Sequence, residues 1–454
     1  MSTSPADIAV LGAGPAGLAA AVAASQAGAR VVLLDAGQRV GGQYWRHRDG
    51  DTGAGHHHWR ELQRLRAAAP EFLGGRQVWH VEPGFTLHTN EGEVHARTLI
   101  VATGAYDRQL PFPGWTLPGV FTAGGAQALL KGQGVTAGRR VVVAGTGPFL
   151  LPVAAGLAEA GAHVVAVCEA GSPAGFARRP PLGKLAEGAG YVRTLLKHRI
   201  PYRIRTTVVA AHGTGSVQGA TIASLDADWN IVGTREVECD AIAVGYGFTP
   251  QLEIPLQLGC ETRLDVDGSL VANADDQQRA SVPGVYLAGE VCGVGGAPLS
   301  LVEGELAGLH AAFATVGAVP DDARVARLLR KRRQARAFAR LLHETHPVRP
   351  GWRTWLSEDT QLCRCEEVTV GRVRESIVDL GATDARSVKL LARPGMGMCQ
   401  GRVCGFATSC LVAAERGRAH TAQDLLAMAA RPIANPVPLG TLSETHPTPT
   451  LEGS

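Results

Sequence analysis

The chain has 454 residues, enough for two to four domains, and its 45% hydrophobic and 19% charged residues describe a globular protein with a large core. A net charge of +3 with only 5% aromatic residues excludes nucleic acid and an anionic membrane as principal partners. The nine cysteines are an odd number concentrated toward the C-terminus, which argues for reduced thiols or metal ligands over a disulfide framework.

Met1 to Ala6 holds no basic n-region, so a cytoplasmic location is expected, with at most peripheral contact with a membrane. The run Asp7 to Leu11 reads as a strand. Gly12, Ala13, Gly14, Pro15, Ala16 and Gly17 then open an Ala/Leu-rich helix, and a second strand closes at Asp35. This is the βαβ unit that binds a dinucleotide diphosphate. Gly12 permits the tight turn, Gly14 lets the backbone approach the pyrophosphate, and Gly17 lets helix and strand pack closely. Pro15 suits the first helical turn, and Asp35 stands where a carboxylate accepts from ribose hydroxyls. The apolar stretch from Ile8 to Ala27 has the length of a membrane span, but its glycines and Pro15 fit the nucleotide loop better.

Gly41, Gly42, Gln43 and Tyr44 follow as a flexible turn near the nucleotide. His56, His57 and His58 read as a solvated loop without a role, since three consecutive histidines cannot all face one metal on a regular element. Residues 60–69 predict a short helix, residues 77–81, 85–89 and 93–95 short strands, and Thr98 to Val101 a buried strand meeting a Thr103–Gly104 turn.

A second nucleotide-like unit begins at Arg139, with Gly145, Thr146, Gly147 and Pro148 before an apolar helix and a strand ending at Glu169, the counterpart of Asp35. Leu150 occupies its third glycine position. A bulky residue there should push the helix from the strand and narrow the phosphate site, so NAD(P), another adenine nucleotide or no ligand are all open for this unit. Strands from Thr206 to Gly245 follow, then a strand running into Gly289–Glu290, then a helix from Leu299 to Thr315. A further helix from Asp321 holds eight Lys/Arg between Arg324 and Arg340 and reads as a solvated linker. His346 to Trp355 is the clearest domain boundary, and the Pro/Thr/Ser-rich stretch after Pro432 is expected to be disordered.

Together, Gly12–Gly17 with Asp35, Ala102–Gly104 and Ala288–Glu290 resemble the two-nucleotide-domain flavoproteins, the group of thioredoxin reductases and pyridine-nucleotide disulfide reductases. The resemblance runs over about residues 5 to 317. It implies FAD on the first unit, held by Gly12, Gly14, Pro15, Ala16, Gly17, Asp35, Gly42, Gln43, Thr103, Gly104, Gly289 and Glu290, with Glu290 replacing the usual Asp toward the flavin ribitol. The NAD(P)-like unit, at Gly145 and Gly147, would be inserted in the first. A disulfide reductase needs paired cysteines beside the flavin. Cys168, Cys239, Cys260 and Cys292 are far apart in sequence, so flavin electrons must leave another way; Cys168 and Cys292 read as small buried residues.

Cys363 and Cys365, then 33 residues, then Cys399 and Cys404 form a C-x-C…C-x4-C pattern. Thiolates select zinc or iron–sulfur, and C-x-C argues against the usual zinc knuckles. Gly395, Gly397, Gly401 and Gly405 keep side chains away and free backbone N–H groups for sulfide, which favours a 2Fe–2S cluster. The segment resembles the bacterioferritin-associated ferredoxin type of domain, with C-x4-C replacing C-x-x-C. Cys410 reads as a spare packed in a helix.

Flavoprotein and cysteine segment combined resemble the α (A) subunits of opine oxidases, of hydroxyproline and proline dehydrogenases, and of hydrogen cyanide synthase. The fold expected is α/β: two Rossmann-like dinucleotide-binding domains, the second inserted in the first, plus a small, mainly helical C-terminal 2Fe–2S domain. Its parts are an FAD domain (1–118 and 248–317), an NAD(P)-like domain (119–247), a basic helix and linker (318–357), the 2Fe–2S domain (358–432) and a flexible tail (433–454). The resemblance implies an electron-transfer subunit fed by an FAD-containing β subunit that oxidises an amino- or imino-acid C–N bond. A small ferredoxin-like γ chain, FMN at a subunit interface and a downstream electron acceptor belong to the same picture, and no catalytic acid or base is expected in this chain. The alternative is a stand-alone NAD(P)H-dependent FAD/iron–sulfur oxidoreductase.

Overall fold

Apolar runs of five or six residues make strands buried on both faces, and two parallel sheets follow from them. The computed structural model describes residues 5–53, 56–172, 185–431 and 433–445. The first sheet contains β1 (Ala6–Leu11), β2 (Val31–Asp35), β3 (Glu71–Gly74), β4 (Val78–Glu82), β5 (Thr86–Thr89) and β6 (Gly92–Val101) in the order β3-β2-β1-β6-β5-β4. β1, β2 and β3 are parallel, with Ile8 opposite Val31 and Val32 opposite Glu71. β6 joins what the sequence reads as two strands: Gly92 to His95 closes an antiparallel hairpin with β5, and Ala96 to Val101 continues alongside β1.

The chain leaves this sheet after β6 and returns to it at Val285–Leu287, which pairs with Leu99–Val101. Between these points lie β7 (Ala105–Asp107), β8 (Val120–Thr122), β9 (Arg140–Gly145), β10 (His163–Glu169) and β11 (Tyr202–Ile204). The second sheet runs β11-β10-β9, then Ala241–Gly245, then β8, all parallel. A three-stranded antiparallel sheet (Thr206–His212, Gly219–Leu225, Ile231–Glu238) flanks it. The molecule thus has two Rossmann-like α/β domains and a mostly helical C-terminal region.

Helix α1 (Pro15–Gln26) is buried along nearly its whole length, which explains why its sequence is almost all alanine, leucine and valine. It lies against helix Ala297–Val316, and two glycines make this approach possible. A Cβ on Gly304 would fall 2.0 Å from the Ala16 carbonyl oxygen, and one on Gly308 would fall 2.3 Å from that of Ala20.

The basic helix is Asp322–Thr345, N-capped by Asp321, and it is not a freely solvated linker. Leu328 and Ala339 are buried, and Arg332 and Arg336 reach Glu303, which is 0% exposed, at 3.3 and 2.7 Å. A buried carboxylate demands cations, and this helix supplies them.

The C-terminal region contains helices Val370–Val378, Ala385–Ala392, Gly405–Glu415 and Ala422–Ala429, the last closed by a capping box between Thr421 and Asp424. After it, Ala434 donates to the Trp79 carbonyl and Asn435 to that of Val78, so this part of the chain is tied to β4. Residues 432 and 446–454 lie outside the described part. Among the described residues, no helix is long and apolar enough to cross a membrane.

Candidate functional site

The first glycine loop is fixed by contacts that tolerate no side chain. A Cβ on Gly12 (φ +98°) would lie 2.3 Å from the Ala102 carbonyl oxygen, and one on Gly17 would lie 1.6 Å from that of Gly12. Gly42 (φ +57°) stacks its backbone on Gly14, where a Cβ would come to 2.8 Å. Pro15 is the first residue of α1, and the helix N-terminus it opens faces a cavity of about 2380 Å³. Binding pockets for one small ligand are usually about 300–1000 Å³, so there is room for a dinucleotide and more.

Gly12, Gly14, Pro15, Ala16, Asp35, Gly42, Gln43, Thr103, Gly104 and Glu290 all line this cavity. Gly17 and Gly289 stand behind that wall, and Gly289 donates to Glu303 at 3.1 Å. Asp35 accepts from the amides of Ala13 and Gly37, both at 2.6 Å, and burial pushes its carboxyl above the ordinary range. Thr103 donates to the Gln251 carbonyl at 3.0 Å. Glu290 accepts from the Gly296 amide at 2.9 Å, and burial raises its carboxyl too. These residues fit FAD: a side-chain-free loop at a helix N-terminus, with Asp35 and Glu290 as carboxylates on the same cavity wall.

The second loop forms the far wall of the same cavity through Thr146 and Gly147, while Gly145 packs behind it with φ +138°. Leu150 is 1% exposed and is accommodated beside Gly245, whose missing side chain leaves room for it next to Ala123. The larger difference lies at Glu169. It is 0% exposed, outside the cavity lining, and it accepts from Thr146 Oγ1 (2.8 Å), Gly147 N (2.9 Å) and Gly171 N (2.8 Å). Burial acts to raise its carboxyl, but His346, 3.6 Å away, and these donors bring it below the ordinary value. His346, not an acid, faces the cavity here.

Several cavity groups carry no motif. Asp107 accepts from Thr122 Oγ1 (2.8 Å) and Gly124 N (3.1 Å), and burial raises its carboxyl. Lys131 donates to the Tyr44 carbonyl at 3.3 Å, and desolvation lowers its ammonium. The only signal for Asp107 was its place just after the Thr103–Gly104 turn; Lys131 gave none. In the histidine run His57 and His58 are exposed, as a solvated loop requires, and His56 alone turns inward. The His56 side chain is 5% exposed, lies 3.1 Å from Asp51 and packs at a tilt against Trp59, while His57 meets the Tyr191 hydroxyl at 2.9 Å.

The cysteines of the α/β part are separate and buried, as is Cys410 in its helix. The other four meet in two pairs: Cys363 with Cys404, and Cys365 with Cys399. Cys363 and Cys404 are buried, Cys399 is partly exposed and Cys365 is exposed. Hydrogen bonding from Cys404, helped by the Gly395 amide at 3.4 Å, holds the Cys363 thiol down at about 6, and the same contact raises Cys404. Gly397 runs so close that a Cβ there would lie 2.3 Å from Cys365 Cβ. Among the described residues, no group of three or more His, Cys, Asp or Glu is arranged around a single metal ion. The donor set, four thiols and an amide aimed at sulfur, fits a thiolate-held iron–sulfur group.

Residues 6–315 match the pyridine nucleotide-disulphide oxidoreductase family. The A subunit of opine oxidase from Rhizobium meliloti is 33% identical, the match covering 96% of this chain and 98% of that one. The HcnB subunit of hydrogen cyanide synthase from Pseudomonas aeruginosa is also 33% identical, over 87% of this chain and 90% of that one. Among solved structures, L-proline dehydrogenase from P. horikoshii shares the fold with a TM-score of 0.71 at 21% identity, covering 97% of this chain and 79% of that one. The chain belongs to the pyridine nucleotide-disulphide oxidoreductase family, in the group of the opine oxidase A and hydrogen cyanide synthase HcnB subunits, and is an FAD-dependent oxidoreductase.

Proposed function

We propose that this chain is the FAD- and 2Fe–2S-containing electron-transfer subunit of a heteromeric dehydrogenase or oxidase. Its partner, an FAD-containing β subunit, would oxidise the C–N bond of an amino or imino acid of opine, hydroxyproline/proline or glycine type. The observation that carries this reading is the meeting of Cys363, Cys365, Cys399 and Cys404, from two buried thiols out to one exposed one, in a flavoprotein whose remaining cysteines are isolated and buried. The similarity to the opine oxidase A chain and to HcnB, both subunits by name, supports it. A flavin exchanges two electrons or one, and a 2Fe–2S centre exchanges one, so together they convert a pair into single electrons.

The roles of this chain's residues follow. Gly12, Gly14, Pro15, Ala16 and Gly17 present helix-terminal amides to the diphosphate, Asp35 takes the ribose, and Glu290 faces the ribitol. Gly42, Gln43, Thr103 and Gly104 line the approach, and Gly289 holds Glu290 in place. The four cysteines hold the cluster, with Cys365 toward solvent. A γ subunit, interfacial FMN and a cytoplasmic location complete the reading.

The alternative, a stand-alone NAD(P)H-dependent oxidoreductase, draws on Gly147 sharing the cavity with Gly14. The turned-in Glu169 counts against it. Co-purification from the native host, with cofactor analysis and EPR of the reduced sample, tests the proposal. A lone, zinc-loaded chain would refute it, and so would rapid stoichiometric bleaching of the flavin by NADH.

A further inference from the structure

We propose that Arg402 is a positioning residue that ties the thiol loop to the wall of the flavin cavity and raises the reduction potential of the group the thiols hold. The inference rests on the proposed function, in which those thiols carry a 2Fe–2S cluster. Arg402 stands three residues after Cys399 and two before Cys404, so its backbone belongs to the loop that carries half of the thiols. Its side chain turns inward. Nε lies 2.9 Å from the Tyr106 hydroxyl and 3.0 Å from Glu253 Oε1, and the terminal nitrogens reach the Cys399 carbonyl (3.2 Å), Gln400 Oε1 (3.3 Å) and the Ala434 carbonyl.

Tyr106 and Glu253 both line the flavin cavity, and Tyr106 stands two residues beyond Gly104. One guanidinium therefore grips the thiol loop and the cavity wall together. It fixes their separation as a rigid fork can, and a flexible ammonium cannot. Charge acts alongside this geometry. Arg431, 3.3 Å from Glu253, is a second cation on the same carboxylate, and the Arg402, Glu253 and Arg431 side chains are 11%, 12% and 9% exposed. Two guanidinium groups and one carboxylate, all largely buried, leave a net positive charge of one beside Cys399. One-electron reduction of a thiolate-held cluster adds a negative charge with no proton to offset it. A fixed neighbouring cation therefore favours the reduced form, and an added anion disfavours it.

The full-length holoprotein and its Arg402→Gln, Arg402→Lys and Glu253→Gln variants are titrated with dithionite and mediators, following the cluster by EPR and the flavin by absorbance, with iron and flavin contents measured first. Arg402→Gln should lower the cluster midpoint by at least the equivalent of a tenfold change in the one-electron equilibrium, about 59 mV. Arg402→Lys, which restores the charge without the fork, should recover most of that shift. Glu253→Gln, which removes the anion, should move the midpoint upward. Opposite signs for the two Gln variants are the signature that a loosened loop would not produce. Unchanged midpoints, or shifts of the same sign, overturn the proposal. If Arg402→Gln fails to load iron, the upward shift in Glu253→Gln decides alone. A wild-type protein without iron or an EPR signal refutes the functional reading and this inference with it, whereas a normal wild-type signal with unmoved variants refutes only this inference.

Discussion

Glu303 tests whether the basic helix belongs to the nucleotide domain. Its carboxylate is fully buried, accepts from the Gly289 amide and is held by Arg332 and Arg336. Glu303→Gln keeps an acceptor for Gly289 but leaves two guanidinium groups facing a neutral amide. Breaking a buried ion pair costs about 3–5 kcal/mol. The Arg336 side chain is 26% exposed and can partly rehydrate, so about 2–3 kcal/mol is expected. With a urea dependence of about 1–3 kcal/mol per molar, the unfolding midpoint should fall by about 1 M at unchanged slope. Because Gly289 holds Glu290 at the cavity wall, flavin should also be released at lower urea. The control is Arg340→Gln, whose pair with Glu344 is exposed and screened by solvent and should leave the midpoint almost unmoved. If Glu303→Gln and Arg340→Gln unfold at the same urea concentration, the basic helix is a bystander and its contacts with Glu303 hold nothing in place.

Gly304→Val should be far more damaging, because its side chain would enter the space of the Ala16 backbone. A loss of at least about 3 kcal/mol, with loss of flavin, is expected by thermal melting and absorbance. Cys404→Ser and Cys363→Ser should abolish bound iron by chemical assay while circular dichroism is retained, and Cys410→Ser should leave iron unchanged. The Arg418 guanidinium holds Asp424 down at about 2 from an ordinary 3.8, and a group depressed by folding stabilises above its unfolded value. The C-terminal helices should therefore be fully supported above about pH 4 and lose that support between about pH 4 and 2, as read by tryptophan fluorescence. Asp424→Ala, which also removes the capping box, should cost about 1–2 kcal/mol at neutral pH.

The parallel sheets are legible in the sequence because their strands are apolar runs bounded by glycine turns, a pattern set by local chemistry. Gly12 to Asp35 and the Thr103–Gly104 turn can be placed for the same reason. His56 and the basic helix mislead in a common way. Their own polarity suggests solvent, whereas what buries them lies outside the polar run: Trp59, three residues on, covers His56, and Glu303, from the preceding helix, gathers Arg332 and Arg336. The available clue is a carboxylate on the apolar side of a largely apolar helix, since Glu303 is flanked by Val302, Gly304, Leu306 and Ala307. Tyr106, Glu253 and Arg402 come from three distant segments, and no spacing rule connects them.

Asp35 and Glu169 show where motif logic stops. Each closes the second strand of a βαβ unit, and each accepts backbone amides from its own glycine loop. Asp35 remains half-buried on the cavity wall, with surface left for a ligand hydroxyl. The side chain of Glu169 is one methylene longer. It reaches back under its loop to collect Thr146, Gly147 and Gly171, and is sealed beneath His346. An acid whose oxygens are all engaged by protein donors gains little from a ribose, and swapping those donors for a ligand would first cost the hydrogen bonds that shape the loop. The second unit thus retains the fold of a nucleotide domain with its ribose-reading acid committed elsewhere. Glu169→Ala should loosen that loop and lower the stability of the second domain without creating a high-affinity NADH site. Tight NADH binding by the wild-type chain in calorimetry would show that the buried acid is no barrier.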